Sequence, residues 1–221
     1  LKCIHDIVVN AMEYLHIDVP VALHLDHGTS REACEAAIAA GFSSIMFDGS
    51  HLPFRENLAI TRHLVTLAHS KGISVEAELG TIAGSEDGIV NSEVIYADPQ
   101  ECYTLVTETQ VDCLAAALGS THGLYKGKAR LGFTEMKAIA EQVKVPLVLH
   151  GGTGVSDEDM RLAVTEGINK VNVGTEMNVQ WVDRCKSTFE KGKVNDSVRK
   201  FLIPANQAVT AVLMEKMALF K

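Results

Sequence analysis

The sequence predicts an α/β fold, a parallel (β/α)8-type barrel, and three observations carry the prediction. Short apolar runs rich in β-branched residues alternate with amphipathic helical stretches, six times along the chain. The strand-like runs are apolar almost throughout, as parallel strands covered by helices are. Each run ends in polar residues, and in barrels of this kind chemistry collects at the carboxyl ends of the strands.

A helical stretch from Ile4 to Leu15 leads, with no strand before it. Pro20–Leu25 reads as the first strand, and Thr29 or Ser30 caps a helix over Arg31–Ala40 that Gly41 stops. Ser43–Phe47 and Ile73–Leu79 are the next two strands. Asp98 followed by Pro99 opens a helix over Gln100–Thr109, since proline suits the first helical position. Cys113–Leu118 and Val145–Leu149 follow as strands, and Ser156 caps Asp157–Glu166, which has an acidic first turn and Gly167 at its end. Lys170–Val173 is the last strand, and the apolar positions of a final helix, Ala208 to Phe220, can pack on the barrel or on another subunit. A closed barrel needs eight strand–helix units. The expectation is therefore a single TIM (β/α)8-type barrel domain over 1–221 whose first two strands lie outside this chain. A doubly wound open sheet is the alternative, weakened because no Gly-x-Gly-x-x-Gly turn follows the first strand.

The chain of 221 residues is 47% hydrophobic and 22% charged, which suits one soluble domain with a large core. No apolar run approaches the roughly 20 residues of a membrane span, and the first residues lack a signal-peptide layout. A net charge of −8 with scattered acids disfavours nucleic acid, which needs a basic stripe. Small anions stay open, because local dipoles and metals bind phosphate whatever the net charge. The five cysteines are widely spaced without Cys-x-x-Cys, as free thiols of a reducing cytoplasm are.

The strand ends carry the candidates. His27, His122 and His150 each follow an apolar strand, and three imidazoles with an open fourth position make a catalytic zinc arrangement. One alone would read as a hydrogen-bonded buried histidine; three on one rim reverse that. His24 shares a strand face with Asp26 and reads as its neighbour rather than as a ligand. Gly151-Gly152-Thr153-Gly154 leads into the helix capped by Ser156, where backbone N–H groups can cradle a phosphate, with Asn172 and Thr175 closing the adjacent strand. The alternative for such a cluster is an ordinary tight turn. Asp26 adjoins a candidate ligand and Glu86 sits in a glycine-containing stretch suited to closing over a substrate, so both are candidates for proton transfer. For Glu86 a solvated acidic turn is an equal alternative. Asp48 and Glu78 serve a second cation or hydrogen-bond the rim. A Schiff base would need a lysine at a strand's carboxyl end. Lys170 reads as lying at the wrong end and Lys126 and Lys128 as loop residues, so metal chemistry is favoured.

Six motifs in order resemble the class II fructose- and tagatose-bisphosphate aldolases. They are Val21–Gly28, Asp48–His51, Val75–Gly80, Ala117–Gly123, Val148–Gly154 and Lys170–Glu176, in register from about Val19 to the chain's end. The resemblance implies zinc at His27, His122 and His150, with Asp26 as the acid/base on the C4 hydroxyl. It makes Glu86 the loop carboxylate that transfers a proton at the nascent carbanion. Gly123, Gly151, Thr153, Asn172 and Thr175 fall where the family holds the dihydroxyacetone phosphate half. Asp48 and Glu78 match a region for a second cation, divalent or monovalent. The implied reaction is reversible cleavage of a ketose bisphosphate, first fructose 1,6-bisphosphate, into dihydroxyacetone phosphate and an aldehyde phosphate. Tagatose 1,6-bisphosphate and a phosphorylated deoxy-keto acid of inositol breakdown are alternatives, and Trp181-Val182-Asp183 and Ala115-Ala116-Ala117 look like the inositol branch. A homologue that binds sugar phosphate without chemistry is the expectation of another class, and a zinc hydrolase would leave the glycines and Asn172 unexplained. The family also implies a homodimer or homotetramer whose partners are small sugar phosphates, and a metal that is zinc or cobalt. Ala83 stands where the family has glycine in its mobile loop, and the chain stops at Phe220-Lys221, short of the family's Gly-Ser-rich tail.

Overall fold

The computed structural model describes residues 1–86, 89–91, 95–123, 129–191 and 197–220, and only the backbone of residues 83, 85, 86 and 89–91. In chain order run α1 (Lys2–Tyr14), β1 (His24–Gly28), α2 (Arg31–Ala40), β2 (Ser44–Phe47), α3 (Phe54–His69) and β3 (Ser74–Leu79). Then come β4 (Ala83–Glu86), β5 (Ile89–Asn91), α4 (Pro99–Thr109), β6 (Cys113–Ala116), β7 (Thr121–His122) and α5 (Phe133–Val143). The chain closes with β8 (Leu147–Leu149), α6 (Asp157–Glu166), β9 (Ile168–Val171), α7 (Thr175–Glu190) and α8 (Val198–Leu219). The capping residues read from the sequence do cap. Ser30 accepts from the Ala33 amide, Asp98 from those of Gln100 and Glu101, and Ser156 from that of Asp159, each occupying an amide the first helical turn leaves unpaired.

Six parallel strands form one sheet in the order β1-β2-β3-β6-β8-β9, each joined to the next through a helix. In a flat sheet β1 and β8 would lie four strand spacings apart, about 19 Å. Instead His27 of β1 and His150 just after β8 approach to 2.8 Å, and Asn172 beyond β9 donates to Asp26 of β1 at 3.0 Å. The sheet therefore curls through most of a barrel and brings its two edges to one cavity. Alternation sorts the side chains. Ile45, Phe47, Val75, Ala77, Leu114, Leu147 and Leu149 face outward and pack with Cys34, Leu64, Leu105, Ile139 and Met160 of the helices. Each fully buried leucine-sized side chain there contributes about 1.5–3 kcal/mol. Inside, Met46, Ala115 and Val148 form a small apolar cluster beside the buried carboxylates of Glu76 and Glu78.

Two strand boundaries differ from the sequence reading. The first strand starts four residues later than Pro20, and the last runs over Ile168–Val171 rather than Lys170–Val173. Lys170 consequently lies inside its strand with its ammonium against Glu76 in the barrel interior, not at the wrong end. Part of the stretch read as suited to closing over a substrate is a strand, Ala83–Glu86. β4 pairs antiparallel with β5 and parallel with β7 in a second, three-stranded sheet above the barrel. The final helix packs along α7, with Leu219 and Phe220 against the main core. Among the described residues no helix is long and apolar enough to cross a membrane.

The cysteines give a direct check on this packing. None is in a disulfide; Cys34 and Cys102 are buried, Cys113 points inward, and burial pushes all three thiols from 9.0 up to about 12. The reactive species is the thiolate, whose fraction at pH 8 falls from about one in ten to about one in 10⁴ with that shift. A thiol-disulfide reagent at pH 8 is expected to modify exposed Cys3 within minutes and to reach Cys34, Cys102 and Cys113 only in denaturant.

Candidate active site

Asp26 and His27 are sequence neighbours, and in a regular strand they would point to opposite faces. The pairing of β1 with β2 runs His24↔Ser44 and Leu25↔Ile45, then slips so that Gly28 meets Phe47. That is a bulge of one extra residue, and His27 takes the left-handed backbone at φ +44. A histidine there carries local strain of the kind that collects at functional positions. The extra residue turns both side chains inward: Asp26 toward Asn172 and His27 toward His150.

The three candidate imidazoles come together. Ring centroids lie 4.6 Å apart for His27 and His150, 5.1 Å for His27 and His122, and 5.9 Å for His122 and His150, all edge-on. Two of them are held from behind by carboxylates. His27 Nδ1 donates to Asp48 Oδ2 at 2.9 Å, and His150 Nε2 donates to Glu76 Oε1 at 2.8 Å. Those bonds leave His27 Nε2 and His150 Nδ1 facing each other at 2.8 Å. Two nitrogen lone pairs cannot rest so close without a proton or a cation between them. In tetrahedral zinc with bonds of 2.0–2.1 Å the nitrogens stand about 3.3 Å apart, so a small opening admits the ion. A carboxylate behind an imidazole also fixes its tautomer and ring orientation, as Asp48 does for His27 and Glu76 for His150. The residues present fit a divalent metal.

A second set overlaps the first. Ligand atoms of His27, Asp48 and Glu78 lie close enough to share a cation. Glu78 is buried, and its Oε2 makes no hydrogen bond among the described residues. Burial, with the Asp48 charge next, raises Glu78 well above the usual carboxylate range. Burial also pushes Asp48 up, but the hydrogen bonds from His27 and Ser50 outweigh it and hold it at about 2. For His27, burial favours the neutral ring, yet the Asp48 bond and the Glu78 and Asp26 charges raise it to about 9. Without a cation His27 therefore keeps a proton that an arriving metal must displace.

His122 does not end the fourth barrel strand, as its position after an apolar run suggested. It sits on β7, in the sheet above. Two glycines clamp that strand. A Cβ on Gly84 (φ +112) would lie 2.2 Å from the His122 carbonyl oxygen, and one on Gly151 (φ +66) 2.4 Å from that of Thr121. Gly84→Ala is expected to lower stability by about 2 kcal/mol or more, from strain and clash together, and to weaken metal binding by displacing His122. Thermal unfolding and metal titration of the variant check both.

Beside the histidines opens a cavity of about 630 Å³ lined by His24, Asp26, His122, Gly123, Gly151, Thr153, Asn172 and Thr175, among others. Asn172 Nδ2 donates to both Asp26 oxygens, at 3.0 and 3.2 Å. His24 shares the Asp26 face, its Nε2 3.9 Å from Oδ1, as alternation predicted. At α6 the Ser156 cap and Asp157, Glu158 and Asp159 fill the first turn, which repels an anion. At α7 the N-cap Gly174 supplies no side-chain cap, Thr153 Oγ1 accepts from the Glu176 amide, and Gly174 and Thr175 line the cavity beside Gly151. The Glu86 side chain, Asp87, Lys126 and Lys128 lie outside the described residues. Glu76 was not singled out from the sequence, although its spacing of two from Glu78 on one strand puts both inside the barrel.

The family described as class II fructose-bisphosphate aldolase matches residues 1–221. The fructose-bisphosphate aldolase of Geobacillus stearothermophilus is 48% identical over 219 residues, covering 99% of this chain and 76% of that protein. The probable fructose-bisphosphate aldolase of Bacillus subtilis is also 48% identical, over 99% of this chain and 77% of its own length. The crystal structure of the YdjI aldolase from Escherichia coli superposes with a TM-score of 0.82 at 32% identity, covering 99% of this chain and 75% of that one. A putative fructose-1,6-bisphosphate aldolase from Coccidioides immitis does so at 0.83 and 32%, over 92% and 72%. A barrel, a triad of imidazoles and near-complete matches of this strength agree, and the chain belongs to the class II fructose-bisphosphate aldolase family.

Proposed function

We propose that this protein catalyses the reversible cleavage of fructose 1,6-bisphosphate into dihydroxyacetone phosphate and glyceraldehyde 3-phosphate, with zinc held by His27, His122 and His150. The observation that carries the reading is the meeting of three imidazoles, two held by buried carboxylates, beside a cavity that also presents Asp26. Bound zinc supplies the Lewis acid that polarises the substrate carbonyl. Asp26 takes the C4 hydroxyl proton as the C3–C4 bond breaks and returns it in the condensation direction. Asn172 orients it by donating to both of its oxygens. Glu86 exchanges the proton at C3 of the three-carbon product. Amides about Gly123 and Gly151 and at the N-terminus of α7, with Thr153 and Thr175, hold the phosphate of that half. Asp48 and Glu78 serve a second cation, a role favoured by the buried Glu78 oxygen that makes no hydrogen bond among the described residues. The same reading makes the protein a cytoplasmic homodimer or homotetramer whose partners are small sugar phosphates.

The test is a panel of fructose 1,6-bisphosphate, tagatose 1,6-bisphosphate and fructose 1-phosphate, with release of dihydroxyacetone phosphate followed by a coupled reductase. Fastest release from fructose 1,6-bisphosphate is expected. Preference for the tagatose sugar would move the substrate assignment, and no release from any of the three would contradict the reading.

A further inference from the structure

We propose that Lys170 is a positioning residue for His150 and acts through the carboxylate of Glu76; the inference rests on His150 being a metal ligand. Lys170 Nζ donates to Glu76 Oε2 at 2.8 Å, while His150 Nε2 donates to Glu76 Oε1, also at 2.8 Å. The side chains of Glu76 and His150 are both 0% exposed. One buried carboxylate thus ties three barrel strands together: Glu76 stands on β3, His150 just after β8 and Lys170 on β9.

A carboxylate gripped at one oxygen can still rotate, because its terminal torsion is broad. Its hydrogen-bonded imidazole would swing with it, and His150 Nδ1 would lose its aim at the metal. A second strong donor on the other oxygen removes that freedom. The remaining neighbours of Oε2 are poor substitutes. Cys113 Sγ, a weak donor, lies 3.6 Å away, and His24 Nε2 lies 3.8 Å away and makes no hydrogen bond among the described residues. Lys170 also supplies a cation beside a carboxylate removed from water, which is stabilised only when paired. The carboxylate behind a metal-bound histidine typically sets 10–100-fold in metal affinity. A residue that acts by holding that carboxylate reaches the lower part of this range.

Zinc affinity of the full chain, measured by competition with a chromophoric chelator, tests the inference without any assay of turnover. Glu76→Gln is expected to bind zinc about 10–100-fold more weakly than the unaltered protein. Lys170→Met is expected to lose about tenfold and Lys170→Arg to restore most of it. The double variant Glu76→Gln/Lys170→Met is expected to bind no more weakly than Glu76→Gln alone, because the lysine acts through the carboxylate. The visible spectrum of bound cobalt is expected to shift in Lys170→Met, a change that a merely structural lysine would not cause. Should Lys170→Met fail to fold, Lys170→Gln, which keeps the length without the charge, takes its place. Affinity and spectrum unchanged in a folded Lys170 variant would overturn the inference, as would losses that multiply in the double variant. Absence of zinc binding by the unaltered protein would instead overturn the metal reading on which it rests.

Discussion

His122→Ala is expected to strip the protein of its metal and its aldol cleavage together. His122 is the only one of the three imidazoles that comes from outside the main sheet, on a two-residue strand held between Gly84 and Gly151. Alanine there leaves the barrel core untouched, so the variant should fold. On the proposed ligand set it removes one of three ligands, a larger loss than the 10–100-fold typical of an outer partner. Zinc content after dialysis and kcat/KM for fructose 1,6-bisphosphate should fall in parallel. A variant that kept stoichiometric zinc would remove His122 from the ligand set.

Asp26→Ala is expected to separate the two properties that His122→Ala loses together. Its side chain is 47% exposed at the cavity, touches Asn172 and does not belong to the set of three imidazoles. Removing it should leave metal content near that of the unaltered protein. Turnover should drop by roughly 10²–10⁴-fold, the usual contribution of a positioned acid/base. Full activity in this variant would end the assigned role, and loss of metal would show that Asp26 shapes the ligand set.

Much of this was legible in the sequence because barrel strands and helix caps have local causes. Ser30, Asp98 and Ser156 mark helix starts through their own side chains, and the alternation that sends Glu76 and Glu78 inward follows from strand geometry alone. The grouping of the three histidines was legible because each follows an apolar run, although His122 reaches the group from the second sheet rather than from a barrel strand's end. What escaped depended on contacts distant in sequence. The bulge that turns Asp26 and His27 to the same side shows only in the slipped pairing with β2. The lift of His122 onto a second sheet arises from pairing with β4, 38 positions earlier in the Gly84↔His122 register. The last strand begins at Ile168, two residues before the sequence reading, so Lys170 enters the barrel and pairs with Glu76.

This barrel is expected to cleave a ketose bisphosphate by means of a metal held on His27, His122 and His150. The most direct measurement is the cleavage rate of fructose 1,6-bisphosphate by the purified protein before chelation, after chelation, and after zinc is returned. Activity that vanishes with the chelator and recovers with about one equivalent of zinc per chain is the predicted result. Cleavage that persists in metal-free protein would contradict the account and turn attention to Lys170 as a carbonyl-reactive amine.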